Sequence, residues 1–212
     1  MHTFVFMIFG VESLILPQTI MNMEKLGGLS PILKQRIADT KVAIVGNVAV
    51  ELIADAISRL GFVDIVSVPD STDLPICDVA ICTCTEKADC RAVITRCNDV
   101  SVISAYNFGI GACAVILLPN NELPHFVENK ADCDTVKAML DHTSGYSNFW
   151  NITGNCWVDD AIKWVGTPEV STSIGEYTMT AMVAHLLVAI VAGNKVKTYP
   201  KFYLSTIAND VN

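Results

Sequence analysis

Lys41-Val-Ala-Ile-Val-Gly46-Asn-Val-Ala-Val50-Glu51 is the stretch on which the fold turns. Its first half is a short apolar run, mostly β-branched, that ends on glycine, which suits a parallel strand buried on both faces. Beyond the glycine, Val48, Leu52, Ile53, Ala56, Ile57 and Leu60 recur at helical spacing, and Gly61 stops that helix. A second β-branched run over residues 63–68 follows at once. Strand, glycine turn, helix and strand in this order predict a crossover unit of a parallel sheet.

Working outward, the same alternation continues. Residues 79–84 read as a strand, 86–97 as a helix and 100–106 as a strand. Residues 112–118 form a further strand reached through Gly109 and Gly111, a turn so tight that it must run antiparallel to its neighbour. Before the core, residues 21–39 read as a helix broken at Gly27-Gly28 and restarted at Ser30-Pro31. After it, residues 119–168 read as irregular, 175–192 as the last helix and 201–207 as a final strand. The expected fold class is α/β, a Rossmann-like mixed sheet whose parallel strands are followed by antiparallel ones, with a C-terminal helix. One domain over 1–212 divides into a helical lead-in (1–40), a nucleotide-binding core (41–118), an irregular substrate-side segment (119–170) and a C-terminal helix and strand (171–212).

Composition narrows the function classes. Of 212 residues, 51% are apolar and 17% charged, which argues for a folded core. A net charge of −8 without any basic block argues against nucleic acid as a partner. The apolar opening over 1–9 is short for a membrane span and lacks the flanks of a signal peptide. Residues 179–192 are also short for a span and read as a buried helix, so the expectation is a cytoplasmic protein without a membrane partner. Eight cysteines, at 77, 82, 84, 90, 97, 113, 133 and 156, show no C-x-x-C pair and no histidine at ligand spacing. They read as small core residues in a reducing compartment rather than as zinc ligands.

Three places could carry chemistry. Gly46, with Asn47 and Val48, lies where phosphates would meet the start of a helix. The sequence keeps only the first glycine of G-x-G-x-x-G, and Glu51 stands where the third belongs, so an ordinary strand–helix turn is the competing reading. Asp70, at the end of the second strand, stands where an acid meets ribose hydroxyls, and Asp70-Ser-Thr-Asp73 is equally a good turn. The most specific is Cys84-Thr-Glu-Lys-Ala-Asp-Cys-Arg91, at a strand–helix junction on the ligand-binding edge of the sheet. A carboxylate there could hold Mg²⁺ on phosphates, while Glu86 and Asp89 are also ordinary first-turn residues of a helix.

That octet resembles the C-T-D-N-x-x-T-R junction of the ThiF/MoeB (ubiquitin-activating-enzyme-like) adenylyltransferases. In register, Glu86 stands for the family's magnesium-binding aspartate and Arg91 for its closing arginine. The lead-in Leu33-Lys-Gln-Arg36, the strand to Gly46, Leu60-Gly61-Phe-Val-Asp-Ile-Val, the turn from Ser104-Ala105 to Gly111, and Ser173-Ile-Gly175 resemble the family as well, over about residues 30–118 and 170–206. The resemblance implies ATP and Mg²⁺, with Glu86 and Arg91 catalytic, Glu86 on the metal, and Gly46, Asn47, Val48, Asp70, Cys84, Thr85, Glu86 and Lys87 on the nucleotide. It implies a homodimer and a small-molecule or peptide carboxylate as substrate, converted to an acyl-adenylate with release of pyrophosphate. Some members pass the acyl group to a cysteine, for which Cys113, Cys133 and Cys156 are the candidates. The shortened, cysteine-rich form resembles the methanogen member that adenylylates the carboxylate of guanylylpyridinol in iron-guanylylpyridinol cofactor biosynthesis. Trp150, Trp157 and Trp164 are candidates to line an aromatic pocket for that ring.

The departures are specific. Two phosphate-loop glycines are missing, only about nine residues separate Val68 from Asp78 where the family carries an asparagine- and arginine-rich segment, and Glu12 to Pro17 shows no arginine for a neighbouring ATP. Two readings follow: a carboxylate adenylyltransferase, or a non-catalytic scaffold that binds a nucleotide or a nucleotide-bearing cofactor. A nicotinamide-dependent oxidoreductase is weaker without the complete glycine fingerprint. His125 and His142 have no nucleophile at motif spacing, and His185 is expected to be a core histidine.

Overall fold

The computed structural model describes residues 29–109, 111–128, 135–149 and 173–206. Six strands form one sheet: β1 (Lys41–Gly46), β2 (Asp64–Val68), β3 (Val79–Thr83), β4 (Ser101–Asn107), β5 (Gly111–Leu117) and β6 (Tyr203–Thr206). Their order across the sheet is β2-β1-β3-β4-β5-β6. The first four are parallel, β5 pairs antiparallel with β4, and β6 antiparallel with β5. This is the mixed sheet expected from the sequence. The chain leaves β1 for β2 on one side and crosses to β3 on the other, so the order reverses between β1 and β3. A crevice at the carboxyl ends of strands flanking such a reversal is where open α/β sheets take ligands.

The helices cover both faces because the strands bury both. Val42 and Ile44 of β1 point into one core, with Ile81, Ile103 and Ile116, and Ala43 and Val45 into the other, with Cys82, Val102 and Val115. On the first face pack α1 (Pro31–Asp39), α2 (Val50–Arg59) and α6 (Ser173–Val191). On the second lie α3 (Lys87–Arg96), α4 (His125–Glu128) and α5 (Thr135–Phe149). The helix start read at Ser30-Pro31 is there: the Ser30 hydroxyl accepts the Leu33 N–H at 3.2 Å and Pro31 opens the helix. The first half of the expected lead-in, the three tryptophans, Cys133 and Cys156 lie outside the described residues.

Two expectations are corrected. The segment read as irregular contains α4 and the fifteen-residue α5. Val136, Met139, Leu140 and Thr143 of α5 are buried at helical spacing, but polar Asp141, His142 and Ser144 and the glycine at 145 dilute that signal in the sequence. His185 is exposed rather than a core residue. Met179, Val183, Leu186 and Leu187 carry the buried stripe of α6, and about 100° per residue turns position 185 to the outer side. By length and composition α6 could cross a membrane; its buried stripe packs on β4, β5 and α2.

The start of α6 is fixed by a close contact. The Asn107 side chain accepts the Gly109 N–H at 2.7 Å and so shapes the β4–β5 turn. A Cβ on Gly175 would run into that Asn107 amide and come within 3.1 Å of the Gly109 nitrogen. Gly175→Ala should therefore lower stability by about 1–3 kcal/mol, as overpacking does, despite alanine's better helix propensity. Urea denaturation checks this; unchanged or raised stability would mean that Asn107 yields without loss.

Candidate functional site

Gly46 ends β1 with φ +133°, a backbone state that favours glycine. Its partner in register is Thr83 of β3. A Cβ at Gly46 would sit 2.5–2.7 Å from the Thr83 carbonyl carbon, the Thr83 hydroxyl and the Cys84 nitrogen. The glycine is thus demanded by the approach of β3, whatever else it serves. Cys84 closes the same point from the other strand, its buried thiol donating to the Val45 carbonyl at 3.6 Å.

The chain then turns through exposed Asn47 and half-buried Val48 to Ala49, which caps α2 in the left-handed conformation (φ 51°, ψ 24°). That state costs an L-residue about 1–2 kcal/mol. Alanine offers no side-chain oxygen to the helix start, and the first helical bond runs from the Ile53 N–H to the Ala49 carbonyl at 2.9 Å. The amides of Val50, Glu51 and Leu52 therefore begin a helix without a side-chain cap, where the helix dipole favours an anion. They open on a groove of about 480 Å³ bounded by Gly46 and Asn47, by Ser67, Val68 and Pro69 at the end of β2, and by Glu176 of α6.

The structure brings Gly46 and Asn47 together with residues that sequence reasoning did not single out as ligands, namely Ser67, Glu51 and Glu176. Val48, Asp70, Cys84, Thr85, Glu86, Lys87 and Arg91 are not among the described residues lining this groove. Asp70 folds into its own turn, its carboxylate accepting the Thr72 N–H at 2.7 Å; that bond, with a further one from the Thr72 side chain, holds the carboxyl below its ordinary range. Thr85 is half-buried, and its carbonyl accepts the Thr135 N–H at 3.1 Å, which anchors the start of α5. Glu86 occupies the cap position of α3 with its side chain exposed and not bonded to the helix start. Half-buried Lys87 is the first residue of α3, and Arg91 is exposed in its second turn, on a helix that packs against the opposite face from α2.

The lining suits a phosphate in one respect: the α2 amides are uncapped. The Thr83 hydroxyl beside Gly46 is 1% exposed and has no hydrogen-bond partner, but Thr83 is not among the residues lining the groove. In one respect the lining opposes an anion: its charged members are Glu51 and Glu176, with no Lys or Arg among the described residues. Carboxylates of this kind suit Mg²⁺, which takes one or two of them together with substrate phosphates; Glu86 does not line the groove, and among the described residues no three or more His, Cys, Asp or Glu gather to hold a metal by themselves.

The histidines considered for catalysis are engaged elsewhere. His142 stacks on Tyr199 with ring centroids 5.5 Å apart and bonds the Pro200 carbonyl at 3.0 Å, and His125 pairs with Glu128 at 2.8 Å. Cys113 is buried in β5, and burial pushes its thiol well above the ordinary value, which disfavours a nucleophile.

The fold defines a class: a doubly wound α/β sheet whose parallel strands are followed by antiparallel ones. No protein-family model matches the sequence, and neither does any curated protein. Among solved structures the chain is similar to E. coli MccB with ATP, with a TM-score of 0.51 and 11% identity over 85% of this chain and 68% of that one. It also matches E. coli MccB without a named ligand (TM-score 0.48, 11% identity, 85% and 66% covered) and MccB with AMPCPP and MccA (0.48, 11%, 90% and 69%). At this identity the likeness to the first establishes the shared fold, and the chain spans about two-thirds of MccB's length.

Gly46→Ala should cost on the order of 3 kcal/mol through left-handed strain and overpacking together. The measurement is chemical denaturation of the variant without any nucleotide present. Undiminished stability would show that β3 can retreat and that Gly46 answers to a ligand instead.

Proposed function

We propose that the chain is an ATP-dependent adenylyltransferase of the ThiF/MoeB kind that activates a carboxylate. The observation that carries this reading is the uncapped start of α2, opening on a groove beside the β1/β3 reversal in a fold shared with MccB, which has been solved with ATP. In the proposed reaction a carboxylate oxygen of the substrate attacks the α-phosphorus of ATP. The bond from that phosphorus to the bridging oxygen breaks, and pyrophosphate leaves with the electron pair. The carboxylate is already ionised at neutral pH, so the protein has to position and neutralise rather than abstract a proton.

The roles proposed are those that the resemblance implies. Gly46, Asn47 and Val48 with the α2 amides receive phosphate oxygens, and Asp70 at the end of β2 meets the ribose. Cys84 and Thr85 shape the wall between β1 and β3, and Lys87 contributes positive charge at the start of α3. Glu86 is the carboxylate for Mg²⁺, which when bound supplies the charge neutralisation that the acidic lining lacks. Arg91 is assigned by resemblance to stabilise the departing phosphates, and its exposure on α3 requires the nucleotide to extend over the carboxyl edge towards that helix. The proposed molecule is a cytoplasmic homodimer, and the narrower substrate proposed is the guanylylpyridinol carboxylate.

One observation favours a second reading, a scaffold that binds a nucleotide or nucleotide-bearing cofactor without turning it over. Glu51 and Glu176 face the groove without a Lys or Arg among the described lining residues, a poor arrangement for a pentavalent phosphorus.

Calorimetric titration separates the two. The adenylyltransferase should bind ATP only with Mg²⁺, with a Kd on the order of 1–100 μM, and should not bind NAD⁺. Glu86→Ala should keep the fold and lose pyrophosphate release in the presence of carboxylate substrates. Full activity in that variant removes Glu86 from the mechanism, and nucleotide binding without turnover by the wild type leaves the scaffold.

A further inference from the structure

Helix α6 carries two rows of side chains. Gly175, Met179, Thr180, Val183, Leu186 and Leu187 are buried towards the sheet and α2. At about 100° per residue, the opposite side carries Ile174, Thr178, Ala181, His185, Val188 and Ala192. Their exposure agrees with that phase: Ile174 is 47% exposed, His185 is exposed, and the other four are half-buried. Ala192 still continues the helix, because its N–H donates to the Val188 carbonyl at 2.9 Å.

The outer row advances in steps of 4-3-4-3-4, the spacing of a seam along which one helix packs lengthwise on another. A helix face that only met water would carry charge, yet no Asp, Glu, Lys or Arg occurs between Glu176 and Lys195 in a chain of net charge −8. Two copies therefore meet on this face without bringing carboxylates together. The row is also its own complement. Read antiparallel about a two-fold axis level with Val183, Ile174 lies across from the partner's Ala192, Thr178 from the partner's Val188, and Ala181 from the partner's His185. A large side chain meets a small one in two of these layers, and two β-branched side chains of like size meet in the third, so each layer fills. A slip of one heptad keeps fewer layers and sets Ile174 against the partner's His185. The antiparallel arrangement also pairs the helix dipoles favourably.

We propose that the outer face of α6 is a dimer interface, occupied by α6 of a second copy of this chain in antiparallel register. This supplies a surface for the homodimer proposed above, yet it rests on the helix alone, since no residue of the seam lines the groove. His185 is the one ionisable residue of the seam, and its place in the central layers ties the pairing to this register, as a single polar seam residue does.

The test is sedimentation velocity of the full-length protein without nucleotide, over about 1–100 μM. The wild type should shift with concentration from the monomer to twice its mass. His185→Glu puts an unpaired carboxylate into both central layers and should raise the dissociation constant about ten-fold or more. Thr95→Glu adds the same charge on α3, across the sheet, and should leave the constant unchanged. Disulfide capture under mild oxidation reads the register. A mixture of Ala181→Cys and His185→Cys proteins should crosslink several-fold faster than either variant alone, with mass spectrometry placing the bond between positions 181 and 185. A wild type that stays monomeric throughout overturns the proposal, and co-sedimentation of that monomer with phosphatidylcholine vesicles would assign the face to a membrane instead. A dimer that His185→Glu leaves intact, or faster crosslinking by Ala181→Cys alone, overturns it as well. His185 is already exposed, so His185→Glu keeps the fold, which circular dichroism checks. With no nucleotide in the cell, loss of the dimer and loss of ATP binding are separate results.

Discussion

The contact between Gly46 and the end of β3 is the constraint on which the rest depends. Strand β1 is hydrogen-bonded on both sides, to β2 and to β3, and five of its six residues are buried. At its last position the neighbouring chain passes so close that no Cβ fits. From there β1 must leave towards α2 while β3 continues through Cys84 towards α3 on the opposite face, so the approach sets where the two chains diverge. The reversal of strand order, the left-handed turn at Ala49 and the groove at the start of α2 are all consequences of that divergence.

This explains why the sheet was legible and parts of the periphery were not. Strands buried on both faces, such as β1, β3 and β5, leave continuous apolar runs, and glycines at 46 and 111 mark the end of β1 and the start of β5. The order of short turns and long crossovers then dictates which strands are parallel. Helix α5 left no such mark, because only one of its faces meets the core and the polar run around His142 and the glycine at 145 reads as loop. For α6 the failure was the reverse. It is apolar almost all round, so the sequence contains no phase from which to tell that His185 faces out while Leu186 and Leu187 face the sheet.

The candidate site divides in the same way. Gly46 and Asn47 are adjacent in sequence to a recognisable strand, so their place at the groove could be read directly. Glu176 comes from a helix start more than a hundred residues later, and only the packing of Gly175 against the Asn107 turn brings it to the groove. No local pattern encodes that meeting. Asp70 illustrates an ambiguity that spacing alone leaves open, since the carboxylate whose spacing suggests a ribose contact closes a turn on Thr72.

The distribution of the cysteines follows from packing before it follows from chemistry. A parallel sheet sandwiched by helices needs small apolar side chains where a helix lies closest, and thiols fill those places in β3, α3 and β5. Within that common role the environment separates them. Cys82 and Cys90 share an enclosed cluster with Ser104 and Tyr106, where every polar atom meets another and none meets water. Cys77, just before β3, and Cys97, at the C-cap of α3, are buried at the other end of the same strand–helix unit. Composition alone assigned all eight to the core. The six cysteines among the described residues are buried, and those along α3 are told apart by which end of the helix they meet, because its two ends lie at opposite edges of the sheet.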